Sequence, residues 1–231
     1  MDGNGNYSLS RLMDDIEEVR KHLGIETWYV MGHSFGGILA INYAYSYPTR
    51  IKGVILSNVT LNMNDSFEHQ LRKASEILNI RIKEIPITDR EAYIQQFYAI
   101  VEKLIQNDSF YKLQYTDCLH QRQMNVLDKD LGTDTSFQQY IFSSEAYFQD
   151  FVPITERIDL PVLVLVGKYD HAVGPDHHET FLFPNMSVCQ LDCGHHPYIE
   201  EPAVFQQTAK AFVGRVSRLI NLMETEEKNH D

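Results

Sequence analysis

The sequence predicts an α/β fold in which a mostly parallel sheet is flanked by helices and carries a helical insertion. Three observations lead to this prediction. Residues 1–60 alternate helical and strand patterns, residues 61–151 show helical periodicity, and residues 152–223 return to strands and helices. We therefore predict an α/β core from 1–60 and 152–223, a helical insertion over 61–151, and a charged tail over 224–231.

The first block has the pattern of a βαβ unit. Four elements follow one another: a helix from Ser8 to Leu23, a strand from Thr27 to Met31, a helix from Phe35 to Tyr47 and a strand from Val54 to Ser57. The helices have apolar residues at helical spacing and end at Gly24 and Pro48, which are typical stop residues. Both strands are nearly continuous apolar runs, so we expect them to be buried in a parallel sheet.

The insertion and the second block differ in composition. Residues 61–151 are rich in Gln, Asn, Asp, Tyr and Phe, and their apolar residues recur at helical spacing. Beyond them the sequence predicts a strand from Val162 to Val166, a strand from Ser187 to Leu191, and a final helix from Ala203 to Leu222. We expect the charged end of the chain to fray.

Charge and apolar run lengths limit the classes of partner. The net charge is −12 and no stripe of Lys and Arg compensates it, so we expect neither nucleic acid nor a membrane surface as partner. The longest apolar run, Leu160 to Val166, is far shorter than a membrane span. The start resembles no signal peptide, and three cysteines without a paired framework fit a reducing compartment, so we expect a cytoplasmic protein.

A G-x-S-x-G motif, Gly32-His33-Ser34-Phe35-Gly36, lies between the predicted strand and the following helix. In this setting the motif is typical of a nucleophile elbow, where small residues at Gly32 and Gly36 allow a tight turn that exposes the serine oxygen. The alternative is a glycine-rich turn whose serine only caps a helix. The strand–turn–helix context favours the nucleophile, Ser34.

A serine nucleophile needs a base and an acid, and both follow Ser34 in the order Ser, Asp, His. Asp170 follows the predicted strand that ends at Val166 after three residues, at the end of the strand where sites form in parallel sheets. His195 and His196 follow the strand that ends at Leu191, and one of them can act as general base. Asp170 alone would more simply be a turn residue. Because Ser34, Asp170 and a histidine occur together in the required order, a catalytic role for Asp170 is favoured over that of a turn residue.

The sequence resembles α/β-hydrolases of the proline iminopeptidase group. Residues 194–202 match that group's G-H-x-P-x-x-E-x-P pattern, which makes His195 the base and His196 its neighbour. Leu23-Gly24-Ile25 and Tyr47-Pro48 extend the likeness. The resemblance implies the α/β-hydrolase fold with a helical cap over 61–151, and a serine hydrolase that acts on a small-molecule or short-peptide substrate. It favours an N-terminal aminopeptidase. A small-ester carboxylesterase and a non-catalytic remnant are the alternatives.

The oxyanion hole requires two backbone donors. Phe35, the residue after the nucleophile, supplies one N–H, and the family's second donor lies in a His-Gly-rich loop that this sequence does not contain. We therefore expect an N-terminally truncated fold of about four strands, with Met1 an internal methionine or the start of a short form. The elbow strand would lie at a sheet edge, which invites self-association, and turnover would be impaired.

The resemblance also suggests where substrate binds. Residues 144–148 resemble a cap segment in which a Glu holds the free amine of a peptide, so Glu145 is a candidate anchor, although an exposed Glu is usually only solvated. His33, beside the nucleophile, and His171, after Asp170, are further candidates for substrate binding.

A metal site is a weaker hypothesis. The candidate ligands are Asp170, His171, His177, His178 and His196. They lack the spacing of an HExxH motif or a comparable ligand set, and adjacent histidines seldom both face one ion. We therefore predict no metal, and a serine mechanism needs no cofactor.

Overall fold

The computed structural model describes residues 5–86, 88–129, 131 and 135–228. The strands are β1 (Trp28–Ser34), β2 (Ile51–Val59), β3 (Val162–Gly167) and β4 (Met186–Leu191). The helices are α1 (Leu9–His22), α2 (Gly36–Ser46), α3 (Met63–Leu78), α4 (Arg90–Gln106), α5 (Tyr111–Gln114), α6 (Cys118–Asp128), α7 (Thr135–Ser143), α8 (Pro197–Glu200) and α9 (Pro202–Lys228). Short 3₁₀ helices cover Pro48–Arg50, Glu145–Tyr147, Val152–Arg157 and His177–Thr180.

The four strands form one parallel sheet in the order β1-β2-β3-β4, which confirms the predicted fold class. The connections from β1 to β2 and from β2 to β3 contain the helices predicted there, whereas β3 and β4 are joined by the predicted polar stretch, which contains one short 3₁₀ helix. Strand β1 lies at one edge of the described sheet and pairs with β2. The carboxyl ends of β1, β2 and β3 therefore open towards the same side of the molecule, where the candidate residues lie.

The sheet is the middle of three layers. Successive side chains of β2 and β3 point to opposite faces, because a strand has a period of two residues. Val54 and Val164 join a core with Ile38 and Ile41 of α2. Leu163 and Leu165 join a second core with α9. Both strands are covered on both faces, which explains their nearly continuous apolar sequences.

Helix α1 is fixed by a cap and a buried ion pair. The Ser8 side chain accepts a hydrogen bond from the N–H of Arg11 (3.4 Å), which caps the first turn. Near the other end, Arg20 donates to the carboxylate of Glu17 (2.6 Å), which also accepts from the Tyr43 hydroxyl of α2 (2.9 Å). This network satisfies a buried charge pair and joins α1 to α2.

The final helix is longer than predicted. Helix α9 runs to Lys228, whereas the sequence pattern suggested an end near Leu222 with a frayed tail beyond it. Residues 223–228 are mostly strong helix formers, so the helix continues after its apolar stripe ends. The rest of the predicted tail, 229–231, lies outside the described residues.

The segment between β2 and β3 contains the helices α3 to α7. Its two ends meet, since the N–H of Phe151 donates to the carbonyl of Leu61 (2.9 Å). This contact lies at both boundaries of the predicted insertion, and we propose that 61–151 is a separate cap over the sheet. No helix in the described ranges is long and apolar enough to cross a membrane.

Candidate active site

Ser34 stands on a strained turn at the end of β1. Its φ is 53°, a left-handed conformation that non-glycine residues rarely adopt. The register of β1 against β2 shifts between His33 and Ser34, and the Ser34 carbonyl accepts from the N–H of Thr60 (3.1 Å). Helix α2 then begins at Gly36. Strain of this kind often accompanies functional residues and is typical of a nucleophile elbow.

The tightness of the turn depends on glycines at 32 and 37. A Cβ added to Gly32 would lie 2.6 Å from the carbonyl oxygen of Gly36. At Gly37 it would lie 2.3 Å from the Cβ of Val59 on β2. At Gly36 nothing lies within 4 Å of the added atom. The small residue predicted at 36 is therefore not sterically required, because the close approach of α2 to β2 occurs one residue later.

Asp170 and His195 form a buried pair behind Ser34. His195 Nδ1 lies 2.9 Å from Asp170 Oδ2, and the two residues are 3% and 0% exposed. Asp170 Oδ1 accepts from the backbone N–H groups of Ala172 (2.8 Å) and Val173 (3.2 Å). Burial alone would raise the pKa of Asp170, but attraction and hydrogen bonding from His195 outweigh it and hold the pKa below its usual range. The carboxylate is therefore charged and fixed.

Ser34 and His195 line the same cavity. Within the described part of the chain, no hydrogen bond joins the hydroxyl to the imidazole. Catalytic hydrogen bonds are often long without substrate and shorten in the complex. The backbone N–H of Phe35 lies at the start of α2, where helix geometry leaves N–H groups free for an outside acceptor.

Asn58, which the sequence analysis missed, joins the loops that carry the acid and the base. Its side-chain nitrogen donates to the carbonyls of Gly194 (3.0 Å) and His195 (2.9 Å), and its oxygen accepts from the N–H of Gly167 (2.7 Å). It is fully buried with a φ of 46°. An Asn directly after an apolar strand was the available signal, since Asn tolerates this conformation.

Glu200 fixes the His195 turn from the other side. Its carboxylate accepts from the N–H of Gly194 (2.9 Å) and from the backbone (2.8 Å) and hydroxyl (2.5 Å) of Thr116. The side chain is 2% exposed. Glu200 belongs to the sequence pattern that identified His195, and the structure gives it a role in positioning that turn.

Two further histidines surround the base. The ring of His33 lies 4.6 Å from that of His195, and its Nδ1 lies 2.9 Å from the carbonyl of Ser57. Burial, with the nearby charges of His195 and His196, lowers the pKa of His33 to about 3. Burial also lowers the pKa of His196 to about 4. Both rings are therefore neutral at pH 7, which leaves His195 as the base paired with a carboxylate.

The cavity beside Ser34 has a volume of about 310 Å³ and is mostly apolar. Its lining residues are Ser34, Phe35, Thr60, Met63, Ser66, Phe67, Gln70, Gln114, Phe137, Gln138, Ile141, Phe142, Ala172, Val173 and His195. Helices α3 and α7 of the insertion supply most of its walls. A concave, apolar pocket with a few polar groups is the usual form of a small-molecule site.

The residues predicted to bind substrate lie elsewhere. Glu145 is exposed on a short 3₁₀ helix and does not line this cavity. His171 does not line it either, and its Nδ1 lies 3.1 Å from Nε2 of His69. His33 packs behind His195. The cavity wall therefore contains none of the three, because the segments around them turn their side chains to the surface or to neighbouring rings.

The candidate metal ligands do not converge. Among the residues that the structure describes, no group of three or more His, Cys, Asp or Glu side chains could hold a metal ion. Both carboxylate oxygens of Asp170 are already used by His195 and by backbone N–H groups.

Comparison with known proteins gives one family. The protein-family model described as the alpha/beta hydrolase fold matches residues 3–202 of this chain. Proline iminopeptidase from Flavobacterium johnsoniae is 26% identical over 176 residues, which are 71% of this chain and 57% of that protein. Proline iminopeptidase from Elizabethkingia meningoseptica is 44% identical over 55 residues, which are 23% of this chain and 18% of that protein. The chain thus spans less than two thirds of the length of both relatives.

A solved structure extends the likeness to the fold. The enol-lactonase from Burkholderia xenovorans LB400 superposes with a TM-score of 0.63 at 20% identity, covering 92% of this chain and 75% of that one. At 20% identity this likeness shows the fold alone.

Proposed function

The chain belongs to the α/β-hydrolase family, and we propose on that premise that it is a serine hydrolase that cleaves a small ester or amide through an acyl-enzyme. Members of this family are typically hydrolases. The observation that carries the proposal is the buried His195–Asp170 pair, joined at 2.9 Å, beside a serine at a φ of 53° on one apolar cavity. The three residue types match the roles of nucleophile, base and orienting acid.

The proposed reaction has two halves. In the first, Ser34 Oγ attacks the carbonyl carbon while His195 Nε2 takes the hydroxyl proton. The Phe35 N–H donates to the oxyanion that forms. The tetrahedral intermediate then collapses, the bond to the leaving group breaks, and His195 returns the proton to that group. Asp170 holds the imidazole tautomer and balances the imidazolium charge throughout.

In the second half, water hydrolyses the acyl-enzyme. His195 accepts a proton from the water as its oxygen attacks the acyl carbon. Collapse of this second intermediate breaks the bond to Ser34 Oγ, which regains its proton from His195 and releases a carboxylic acid. No step requires a cofactor.

Two more specific hydrolase activities are each supported by a different observation. The relatives named proline iminopeptidase, together with the match of residues 194–202, favour an N-terminal aminopeptidase. The apolar cavity, which Glu145 does not line, favours a small-ester carboxylesterase. The geometry supports the ester activity better, since an aminopeptidase must hold a charged amine next to the scissile bond.

A fluorophosphonate probe tests the proposal, because only an activated hydroxyl attacks its phosphorus at a useful rate. We expect stoichiometric labelling of Ser34 in the chain and none in Ser34→Ala. His195→Ala should abolish labelling, while His196→Ala, which removes the neighbouring imidazole, should leave most of it.

The controls separate the proposal from its alternatives. Circular dichroism of each variant shows whether lost labelling reflects lost folding. A folded chain that takes up no probe would indicate a non-catalytic binding module. If His196→Ala abolished labelling and His195→Ala did not, the base would be His196.

A further inference from the structure

Within the described residues, the cavity beside Ser34 contains no acidic side chain that could neutralise a cationic substrate. Of its lining residues within the described chain, none is Asp, Glu, Lys or Arg. The nearest carboxylate in the mechanism, Asp170, is fully buried behind His195, with Oδ2 paired to His195 and Oδ1 accepting two backbone N–H groups. An ammonium group in the cavity would lose its hydration without gaining a counter-ion, which is strongly unfavourable.

The walls favour an apolar group. Phe35 and Phe137 lie with ring centroids 6.0 Å apart, and Phe67 and Phe142 lie 5.7 Å apart. All four rings line the cavity. Burial of a ring or an alkyl chain against them removes apolar surface from water on both sides.

Apart from His195, the polar side chains of the lining are uncharged hydroxyls and amides, and three of them are already hydrogen-bonded. The side-chain nitrogen of Gln70 donates to the carbonyl of Ala172 (2.7 Å), and the hydroxyl of Ser66 donates to that of Thr60 (2.8 Å). The Thr60 hydroxyl keeps its own proton and Gln70 has a second N–H, so both can still donate to a neutral carbonyl or ether oxygen. The start of helix α2 carries a partial positive charge beside Ser34, which favours an oxyanion and disfavours a cation.

We propose that the acyl group transferred to Ser34 is neutral and apolar, and that substrates with a free amine next to the scissile carbonyl are excluded. This inference rests on the proposed serine hydrolase function and adds the substrate class. It assigns the exclusion to the residues that form the cavity wall on α3 and α7. It therefore distinguishes this chain from the aminopeptidases that it resembles.

A matched pair of esters tests the inference. The p-nitrophenyl esters of cyclopentanecarboxylic acid and of proline have rings of the same size and differ in one ring amine, which is protonated at pH 6. We expect kcat/KM to favour the neutral ester by on the order of 10²-fold, because binding the cation requires its desolvation without a partner. Equal or greater activity on the proline ester would overturn the inference.

A pair of variants on α7 tests whether the cavity wall sets this preference. Gln138 lines the cavity, whereas Gln139 lies on the same helix and lines only the outer groove beside it. Gln138→Glu should improve the proline ester relative to the neutral ester by about tenfold or more, because it supplies a counter-ion. Gln139→Glu should leave the ratio unchanged. The same gain in both variants would mean that net charge, and not the cavity, sets the preference.

Binding to Ser34→Ala separates this inference from the proposed function. Saturation-transfer NMR with cyclopentanecarboxamide and prolinamide reports occupancy without turnover. Binding of the first and not the second supports the inference even if the serine is never labelled. Binding of prolinamide at equal strength, or of neither amide, would overturn it, while loss of Ser34 labelling in the native chain would overturn the proposed function.

Discussion

Asp170 is the residue on which the orientation of the proposed base depends. Its carboxylate holds the Nδ1 side of His195 at 2.9 Å and is itself held by two backbone N–H groups. We expect Asp170→Asn to fold normally but to lose on the order of 10⁴ in kcat, because an amide favours the wrong imidazole tautomer, as in serine proteases. Ester turnover and circular dichroism measure the two effects.

Asp192 provides the matched control. It follows β4 near the same turn, but its side chain is 74% exposed and lies 3.5 Å from Lys168. Asp192→Asn should keep turnover within about twofold of the native chain, as expected for an exposed surface pair. Near-normal turnover in Asp170→Asn, with a loss in Asp192→Asn, would identify Asp192 as the orienting acid.

The ring of His33 should make the free energy of unfolding depend on pH. Burial, with the charges of His195 and His196, lowers its pKa to about 3 in the folded chain, below the unfolded value near 6.5. Between these values the unfolded chain binds a proton that the folded chain does not. The contribution of neutral His33 to the free energy of unfolding is therefore fully present above about pH 6.5. It is lost as the pH falls towards 3, by at most about 1.4 kcal/mol per pH unit.

Urea unfolding at pH 7, 6 and 5 measures this effect. We expect His33→Gln to reduce the loss of stability between pH 7 and 5, whereas His22→Gln, on the exposed end of α1, should follow the native chain. Because His196 has a lowered pKa as well, some pH dependence should remain in His33→Gln. An unchanged slope in His33→Gln would contradict the assignment.

At the scale of elements, the junction of β1, α2 and β2 determines where the nucleophile stands. A Cβ at Gly37 would lie 2.3 Å from the Cβ of Val59, whereas one at Gly36 would meet nothing within 4 Å. We expect Gly37→Ala to lower the free energy of unfolding by about 1–3 kcal/mol through overpacking. Gly36→Ala should stay within about 1 kcal/mol of the native value, since Ala is favourable in a helix.

Fluorophosphonate labelling of the same two variants tests whether the substitutions also displace the Ser34 nucleophile. Val59 is the β2 partner of Ser34 in the sheet, so a shift of α2 away from β2 displaces the nucleophile. Labelling by a fluorophosphonate should slow in Gly37→Ala and stay normal in Gly36→Ala. Equal behaviour of both variants in stability and labelling would show that the turn adapts without cost.

At the scale of the whole molecule, the sheet has an exposed edge. Strand β1 pairs with β2 on one side, and within the described residues no strand pairs with its other side. Met31 at its centre is 48% exposed. We propose that the chain self-associates through this edge, because an unpaired strand with apolar side chains invites pairing with another copy.

Size-exclusion chromatography with multi-angle light scattering tests this proposal. We expect Met31→Lys to shift the chain towards monomer, since a charge on an edge strand opposes pairing. Leu219→Lys changes a residue of α9 that is 53% exposed and should leave the mass distribution unchanged. A native chain that runs as a single monomer would contradict the proposal.

The sequence by itself determined the fold class and the order of the candidate triad. Parallel strands buried on both faces read as continuous apolar runs, so Val54 to Ser57 and Val162 to Val166 could be assigned from composition alone. Helices were visible through their spacing. Ser34, Asp170 and His195 could be proposed as the triad because each lies close to the end of a predicted strand, and the predicted family is confirmed.

Only the tertiary structure decided which side chains share the cavity. Glu145 was a plausible amine anchor by resemblance, but its exposure depends on how its segment packs against the rest of the chain. The same holds for Asn58, whose hydrogen bonds reach residues more than one hundred positions away. Local patterns specify period and turn, whereas the direction of a side chain and the charge around it depend on contacts between distant segments. The neutral, apolar lining beside Ser34 is a property of that packing.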